Sequence, residues 1–206
     1  EEVSYVCAGV NHQTWFIRVA HRGRDVTGEI LEAFEKDEQL AKNEKLRIDM
    51  LRRFGYYSTE SNGHLSEYVQ WYRKRPMEMA QWTNSEESWS TGETGGYLRA
   101  MLERADWYEE EVPKWLEGPT RTFSAEERSA EHTSHIIEAI ETGRVYRGHF
   151  NVINNGSIAN LPDDCCVEVP GYVDGNGINP ITVGELPMGC AAVCSQTVHT
   201  QRLSME

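Results

Sequence analysis

The order of β-prone and helical segments is the strongest constraint this chain places on its own fold. A strand signal comes early, in the run Thr14 to Ala20, and helical spacing fills the middle of the chain. β texture returns between Val145 and Val173, and a last helical stretch runs from Leu186 to Glu206. A doubly wound α/β domain needs strands alternating with helices, because each parallel strand is reached by a crossover. No such alternation is present. The expected class is α+β, with long helices beside a small, mostly antiparallel sheet in a single domain. A chain of 206 residues is long enough to bury a full core.

Finer spacing predicts the elements. Ile30, Leu31 and Phe34 mark a helix over 26–36; Leu46, Met50, Leu51 and Phe54 mark another over 45–54, with Gly55 as its stop. A hydroxyl-rich loop over 56–63 leads into helical spacing over 64–72. Residues 77–92 show little periodicity and read as a long excursion of the kind that forms lids. Tyr97, Met101, Ala105, Tyr108, Val112 and Trp115 predict a long helix over 96–116, and a capping box of Ser124 and Glu127 opens a further helix ending at Gly143. Strands are expected at 145–151, 165–169 and 172–173, separated by turns at Asn154-Asn155-Gly156 and Pro170-Gly171, with a further turn at Asp174-Gly175-Asn176-Gly177.

A net charge of −13 argues against a nucleic-acid backbone or an anionic membrane as partner, since both select for Lys and Arg. No apolar run of membrane-spanning length is present, nor a basic segment followed by an apolar stretch at the start. Five cysteines, at 7, 165, 166, 190 and 194, form neither a disulfide framework nor zinc-type pairs, which fits a reducing, cytoplasmic setting.

Several polar groups invite a functional reading. Asn11-His12 stands directly before the first strand, where Gly9 lets the backbone turn and the sheet rim holds the imidazole as a ligand or as a structural histidine. Glu60, His64 and Tyr68 bracket the start of one helix, as an acid-base cluster or as cap and packing residues. His132 and His135 form an H-x-x-H without a third ligand and read as a solvated face, and Cys190 and Cys194 read as core. Residues 151–162 hold more Asn than turn geometry requires; amides such as Asn155 suit a hydroxyl-bearing ligand. The Gly-rich pieces do not form a G-x-G-x-x-G between strand and helix, so no dinucleotide site is assigned.

Three stretches taken together carry more. Residues 7–15 (Cys-Ala-Gly-Val-Asn-His-Gln-Thr-Trp), residues 54–68 (Phe-Gly-Tyr-Tyr-Ser-Thr-Glu-Ser-Asn-Gly-His-Leu-Ser-Glu-Tyr), and the run from Asn154-Asn155-Gly156 to Val167-Glu168-Val169-Pro170 resemble glycoside hydrolase family 4. The likeness is strongest to its α-galactosidase and α-galacturonidase branch and covers nearly the whole chain. It implies the fold of the C-terminal domain of lactate and malate dehydrogenases. It also implies that residues 1–206 are the substrate-side part of a longer enzyme, without the upstream Rossmann domain that holds NAD, without the metal-ligating Cys of that region, and without the last helices.

The chemistry implied by the resemblance differs from hydrolysis by two carboxylates. Bound NAD+ takes hydride from C3 of the sugar, a base removes the C2 proton, the C1 aglycone is eliminated, water adds, and the hydride returns. A divalent ion, typically Mn2+, acts as Lewis acid at the C2 and C3 oxygens. By position His12 matches the metal ligand, with Asn11 beside it contacting the metal site or the sugar. His64 and Tyr68 are the candidates for the C2 base, with Tyr57 and Glu60 close enough to contribute. Departure from the Tyr-rich pattern of the 6-phospho-glycosidases points to a free hexose or uronic acid as substrate, and the family implies a dimer or tetramer. Two rival readings stand beside it: the substrate domain of a 2-hydroxy-acid dehydrogenase, and a non-catalytic assembly module.

Overall fold

The computed structural model describes residues 2–83, 101–120, 122 and 124–206. β1 (Val3–Val10) and β2 (Gln13–His21) make a hairpin closed by the two residues Asn11 and His12, with a bulge at Val6/Cys7. β3 (Arg24–Asp25) pairs back on β2. There follow α1 (Ile30–Lys36), α2 (Glu38–Asn43), α3 (Lys45–Phe54), β4 (Tyr57–Ser58), α4 (Asn62–Tyr68), α5 (Pro76–Trp82) and α6 (Ala105–Glu117). α7 (His132–Thr142), β5 (Tyr146–Ile153), β6 (Cys166–Asp174), β7 (Gly177–Pro180) and α8 (Met188–Met205) complete the described elements. The sheet order is β3-β2-β1-β6-β5, with β4 against β2 and β7 against β6, and its strands pair antiparallel. The class is α+β, as the order of segments predicted.

Alternation along the strands sends Ala8, Val10, Trp15, Val167 and Val169 to one face. Against it α8 lays Cys190, Ala191, Cys194 and Val198, α3 adds Leu46 and Met50, and α4 adds Leu65. Each large apolar side chain buried there contributes about 1.5–3 kcal/mol, so this face holds the hairpin to the helices. Cys190 and Cys194 behave as small core residues, and burial pushes their thiols up to about 12 and about 11. Gly55 ends α3 in the left-handed region at φ 78°, its N–H bonded to Leu51 O at 2.8 Å. Among the described residues, no helix is long and apolar enough to cross a membrane.

Several local expectations are corrected. Gly9 is not a turn residue: it lies inside β1 opposite Thr14, and a Cβ on it would stand 2.2 Å from the Gln13 carbonyl oxygen. Close approach of two backbones, rather than a bend, requires glycine here. Pro170-Gly171 does not break the third β segment, because β6 runs through it; Gly171 faces Phe150 and the Asn179 carbonyl where a side chain would collide. The expected turn after Asp174 is present, and it leads into β7, which the polar sequence Gly177–Pro180 conceals.

Asp37 caps a short α2 through Gln39 N and Leu40 N, an N-terminus that weak apolar spacing hides. The excursion expected at 77–92 begins instead with α5, opened by Pro76 where a missing N–H is tolerated; residues 84–92 lie outside the described residues. Of the helix expected over 96–116, residues 96–100 lie outside the described residues; 101–103 are helical, Arg104 is a turn, and α6 continues from Ala105. Ser124 and Glu127 do interact as a cap, Ser124 N to Glu127 Oε2 at 3.0 Å, but on a 3₁₀ turn over Ala125–Glu127; the α-helix starts only at His132. Arg128, between them, folds onto Ser134 and Glu138 instead of continuing the helix.

Candidate active site

The hairpin turn places His12 at φ 65°, a conformation uncommon for a residue with a Cβ and more tolerated by His than by bulkier side chains. Such strain persists only where surrounding structure over-determines it. Gln13 supplies that structure. Its side chain is fully buried, donates from Nε2 to Tyr68 O at 3.3 Å and accepts from Thr197 Oγ1 at 2.6 Å, while its carbonyl accepts from Cys194 Sγ. One buried amide thus ties the hairpin tip to α4 and α8, and it went unnoticed in the sequence because Gln within a strand signals nothing by its spacing.

α4 brings the remaining groups to the tip. Ser61 caps it by accepting from His64 N, and Asn62 Oδ1 accepts from Arg47 N, which fixes the helix start against α3. The His64 ring lies 5.1 Å from that of His12, and the Tyr68 ring stacks on His12 at 5.2 Å. Glu60 Oε1 stands 3.3 Å from His12 Nδ1, yet the two are not aligned for a hydrogen bond, and Nδ1 is a buried nitrogen without a hydrogen-bond partner. His64 Nδ1 meets Glu67 Oε2 at 3.2 Å, and Arg73 approaches the other Glu67 oxygen at 3.6 Å. Burial, followed by the charges of Glu67 and Glu60, pushes the Tyr68 phenol above its ordinary range.

The structure therefore brings together His12, Glu60, His64 and Tyr68, with Asn11 exposed beside them at the turn. Tyr57 is not among them. It is buried between Phe34 and Phe16, under the Arg47 guanidinium 4.1 Å from its ring, and burial raises its phenol strongly. Its contacts are packing contacts apart from the cluster, unlike the placement expected of a catalytic group. Asn155 is also apart: it sits exposed at φ 42° in its turn, its N–H bonded to Asp163 O. Its neighbours explain the Asn density of 151–162. Asn154 satisfies four backbone groups, and Asn160 binds both the N–H and the C=O of Leu186. His132 and His135 are not simply solvated, since both pack on Tyr146 of β5.

A divalent ion is tested against these groups. Glu60 stands beside His12 Nδ1, the side from which a carboxylate orients a metal-ligating imidazole, so that Nε2 is the ring nitrogen suited to an ion. The donor chemistry fits. Among the described residues no group of three His, Cys, Asp or Glu is disposed to hold a metal, so these residues alone do not make a complete metal site.

Known proteins resemble this chain over nearly its whole length. Over 205 residues the chain is 55% identical to an α-galactosidase of Rhizobium meliloti (strain 1021), covering 99% of this chain and 42% of that protein. It is 32% identical over 201 residues to an α-galactosidase of Bacillus subtilis (strain 168), covering 97% and 44%. The structure of a 6-phospho-β-glucosidase from Thermotoga maritima with manganese, NAD+ and glucose-6-phosphate superimposes with a TM-score of 0.60 at 21% identity, covering 98% of this chain and 44% of that one. The chain thus spans less than half the length of these relatives. The model of the family 4 glycosyl hydrolase C-terminal domain matches from residue 7 to residue 206, and the chain belongs to that family.

Proposed function

We propose that the protein carrying this chain hydrolyses α-galactosides, using NAD+ and Mn2+, and that residues 1–206 form its substrate-side domain. The observation that carries the reading is the convergence of His12, Glu60, His64 and Tyr68 at one hairpin tip, in a chain 55% identical to an α-galactosidase. The bound cofactors supply hydride acceptance from the sugar and Lewis-acid stabilisation of the charge that develops on its oxygens.

The chain's own residues do the rest. His12 gives a ring nitrogen to the ion, with Glu60 orienting the imidazole. His64 is the base for the C2 proton, with its ring oriented by the Glu67 carboxylate at Nδ1. Tyr68, kept as a phenol by burial and by the neighbouring carboxylates, holds the His12 ring by stacking rather than taking the proton. Asn11, exposed at the tip, is placed for the sugar hydroxyls. Carboxylates at 60 and 67 make this corner acidic, which favours a neutral hexoside over a 6-phosphorylated one. A homo-oligomer and a cytoplasmic location belong to the same proposal, the second supported by five free cysteines.

Release of p-nitrophenol from p-nitrophenyl α-galactoside by the full-length protein is the test. Turnover is expected only when Mn2+ and NAD+ are both present; turnover with either one omitted from metal-free, NAD-free protein overturns the reading.

A further inference from the structure

Glu168 is charged, half-buried and unused by the mechanism above. It lies near the start of β6, between Val167 and Val169, both of which enter the core. Alternation turns its side chain to the opposite face of the sheet. There it pairs with Gly9 of β1 on one side and with Asn151 of β5 on the other, and Gly9 in turn pairs with Thr14 of β2. Thr14 and Thr59 join through their hydroxyls, and Thr59 directly precedes Glu60. One transverse row, Thr14, Gly9, Glu168 and Asn151, thus leads across the sheet from the His12 corner. Its second place has no side chain, so the partner directly opposite Glu168 on β1 leaves room beside the carboxylate. The next side chain on that strand face is the Cys7 thiol, whose pKa is raised by burial and then by the Glu168 charge.

Among the described residues no hydrogen bond or ion pair is made by this half-buried carboxylate. The groups that set its electrostatic environment are Glu60, which opposes its charge, and His12 and His132, which favour it. Two of these three belong to the candidate active site. A carboxylate accepts from two donors at once and offers none, which matches a pair of vicinal hydroxyls on a hexose ring. It repels a second carboxylate, so it suits a neutral sugar better than a uronic acid.

We propose that Glu168 is a sugar-binding residue that accepts hydrogen bonds from hydroxyls of the galactosyl ring and selects a neutral hexose. The inference rests on the α-galactosidase reading of the same site. It makes Glu168 a specificity-determining residue, not a metal ligand and not a structural one.

The experiment uses the full-length protein with Mn2+ and NAD+, comparing wild type with Glu168→Gln and Glu168→Ala. A charge-assisted hydrogen bond contributes about 1.5–3 kcal/mol, so KM for p-nitrophenyl α-galactoside is expected to rise roughly ten- to a hundred-fold in both variants. Mn2+ affinity, read by electron paramagnetic resonance of the free ion, is expected to stay within about two-fold, because the ion binds elsewhere. Methyl α-galactoside and its 3-deoxy, 4-deoxy and 6-deoxy analogues serve as competitive inhibitors. At least one deoxy analogue is expected to bind wild type about ten-fold more weakly than the parent does, and to bind Glu168→Gln no more weakly than the parent does. An unchanged KM, or a fall in Mn2+ affinity matching the loss of turnover, overturns the assignment of Glu168. A wild type without activity on the galactoside overturns instead the reading on which it rests.

Discussion

Two turns of this molecule look alike in sequence and do opposite things. The His12 turn and the Asn154-Asn155-Gly156 turn each follow a strand, each carry amide or imidazole side chains, and each hold a non-glycine residue at positive φ, 65° at His12 and 42° at Asn155. In the second turn the bonding capacity is spent. Asn154 is fully buried, accepts from Ile158 N at 2.7 Å and donates to the carbonyls of Ile158, Leu161 and Pro162. An amide so used has nothing left for a ligand. At the first turn the strained residue leaves Nδ1 unbonded, and aromatic rings and a carboxylate gather around it. Polar density alone does not mark a site; unspent bonding capacity held in a strained place does.

The largest test of the contrast is His12→Ala in the full-length enzyme. Loss of a metal ligand is expected to lower turnover by roughly a thousand-fold or more, about 4 kcal/mol of transition-state stabilisation. Folding stability, followed by urea denaturation, should move by less than about 1 kcal/mol, because the ring sits at a turn and makes no hydrogen bond among the described residues. Asn154→Ala should do the reverse. It strands several buried backbone groups and is expected to cost about 3 kcal/mol or more in urea denaturation, while turnover per folded molecule at low temperature stays within about two-fold. A catalytic loss at Asn154 with little unfolding, or unfolding at His12 with turnover retained, breaks the contrast.

How much of this was legible beforehand follows from the same distinction. The α+β class was readable because it depends on the order of periodicities, which local changes do not disturb. His12, His64, Glu60 and Tyr68 were readable as a group only through the resemblance, since i, i+4 spacing joins His64 to Tyr68 but nothing local joins either to His12 across the sheet edge. The separation of Tyr57 and Asn155 from that group was not readable, because stacking under Arg47 and the chirality of a turn leave no mark in composition. Gln13 and Glu168 were passed over for the opposite reason. The only sign of Glu168 was a charge between two valines, which is also how an ordinary exposed strand residue looks. Pairing with Gly9 gave it meaning, and pairing is a long-range fact.

The pH dependence of stability extends the contrast to Glu168. Burial first, and the Glu60 carboxylate second, raise its pKa above the ordinary 4.5, while His12 and His132 pull the other way. A carboxyl whose folded pKa exceeds its unfolded one binds its proton more tightly when folded. The stabilisation from that proton is complete below the unfolded pKa and is lost as pH rises through the folded one. Glu168→Gln carries no such group. It should therefore gain stability relative to wild type as pH rises from about 4.5 toward neutrality, and the two should converge in acid. Thermal melts across that range check it, and a gap that is constant with pH would show that the charge has no cost in the fold. A residue that destabilises the fold in its charged form and yet improves substrate binding is what a functional carboxylate should look like.

The smallest effect isolates the strain itself. His12→Gly and His12→Ala both remove the imidazole, so both lose the ligand, but only glycine adopts φ 65° without a Cβ penalty. The left-handed conformation costs a residue with a Cβ about 1–2 kcal/mol, and greater freedom in the unfolded chain takes back about half of that for glycine. His12→Gly should accordingly be more stable than His12→Ala by about 0.5–1 kcal/mol in urea denaturation. The matching pair at Asn155 should differ in the same direction, since φ 42° there also lies in the left-handed region. What separates the two turns is then the comparison with the natural residue: Asn tolerates that region through its local hydrogen bonding, so Asn155→Gly should gain less over wild type than His12→Gly does. Equal gains would mean that His12 is no more strained than an ordinary turn residue, and the strain would cease to count as a sign of function.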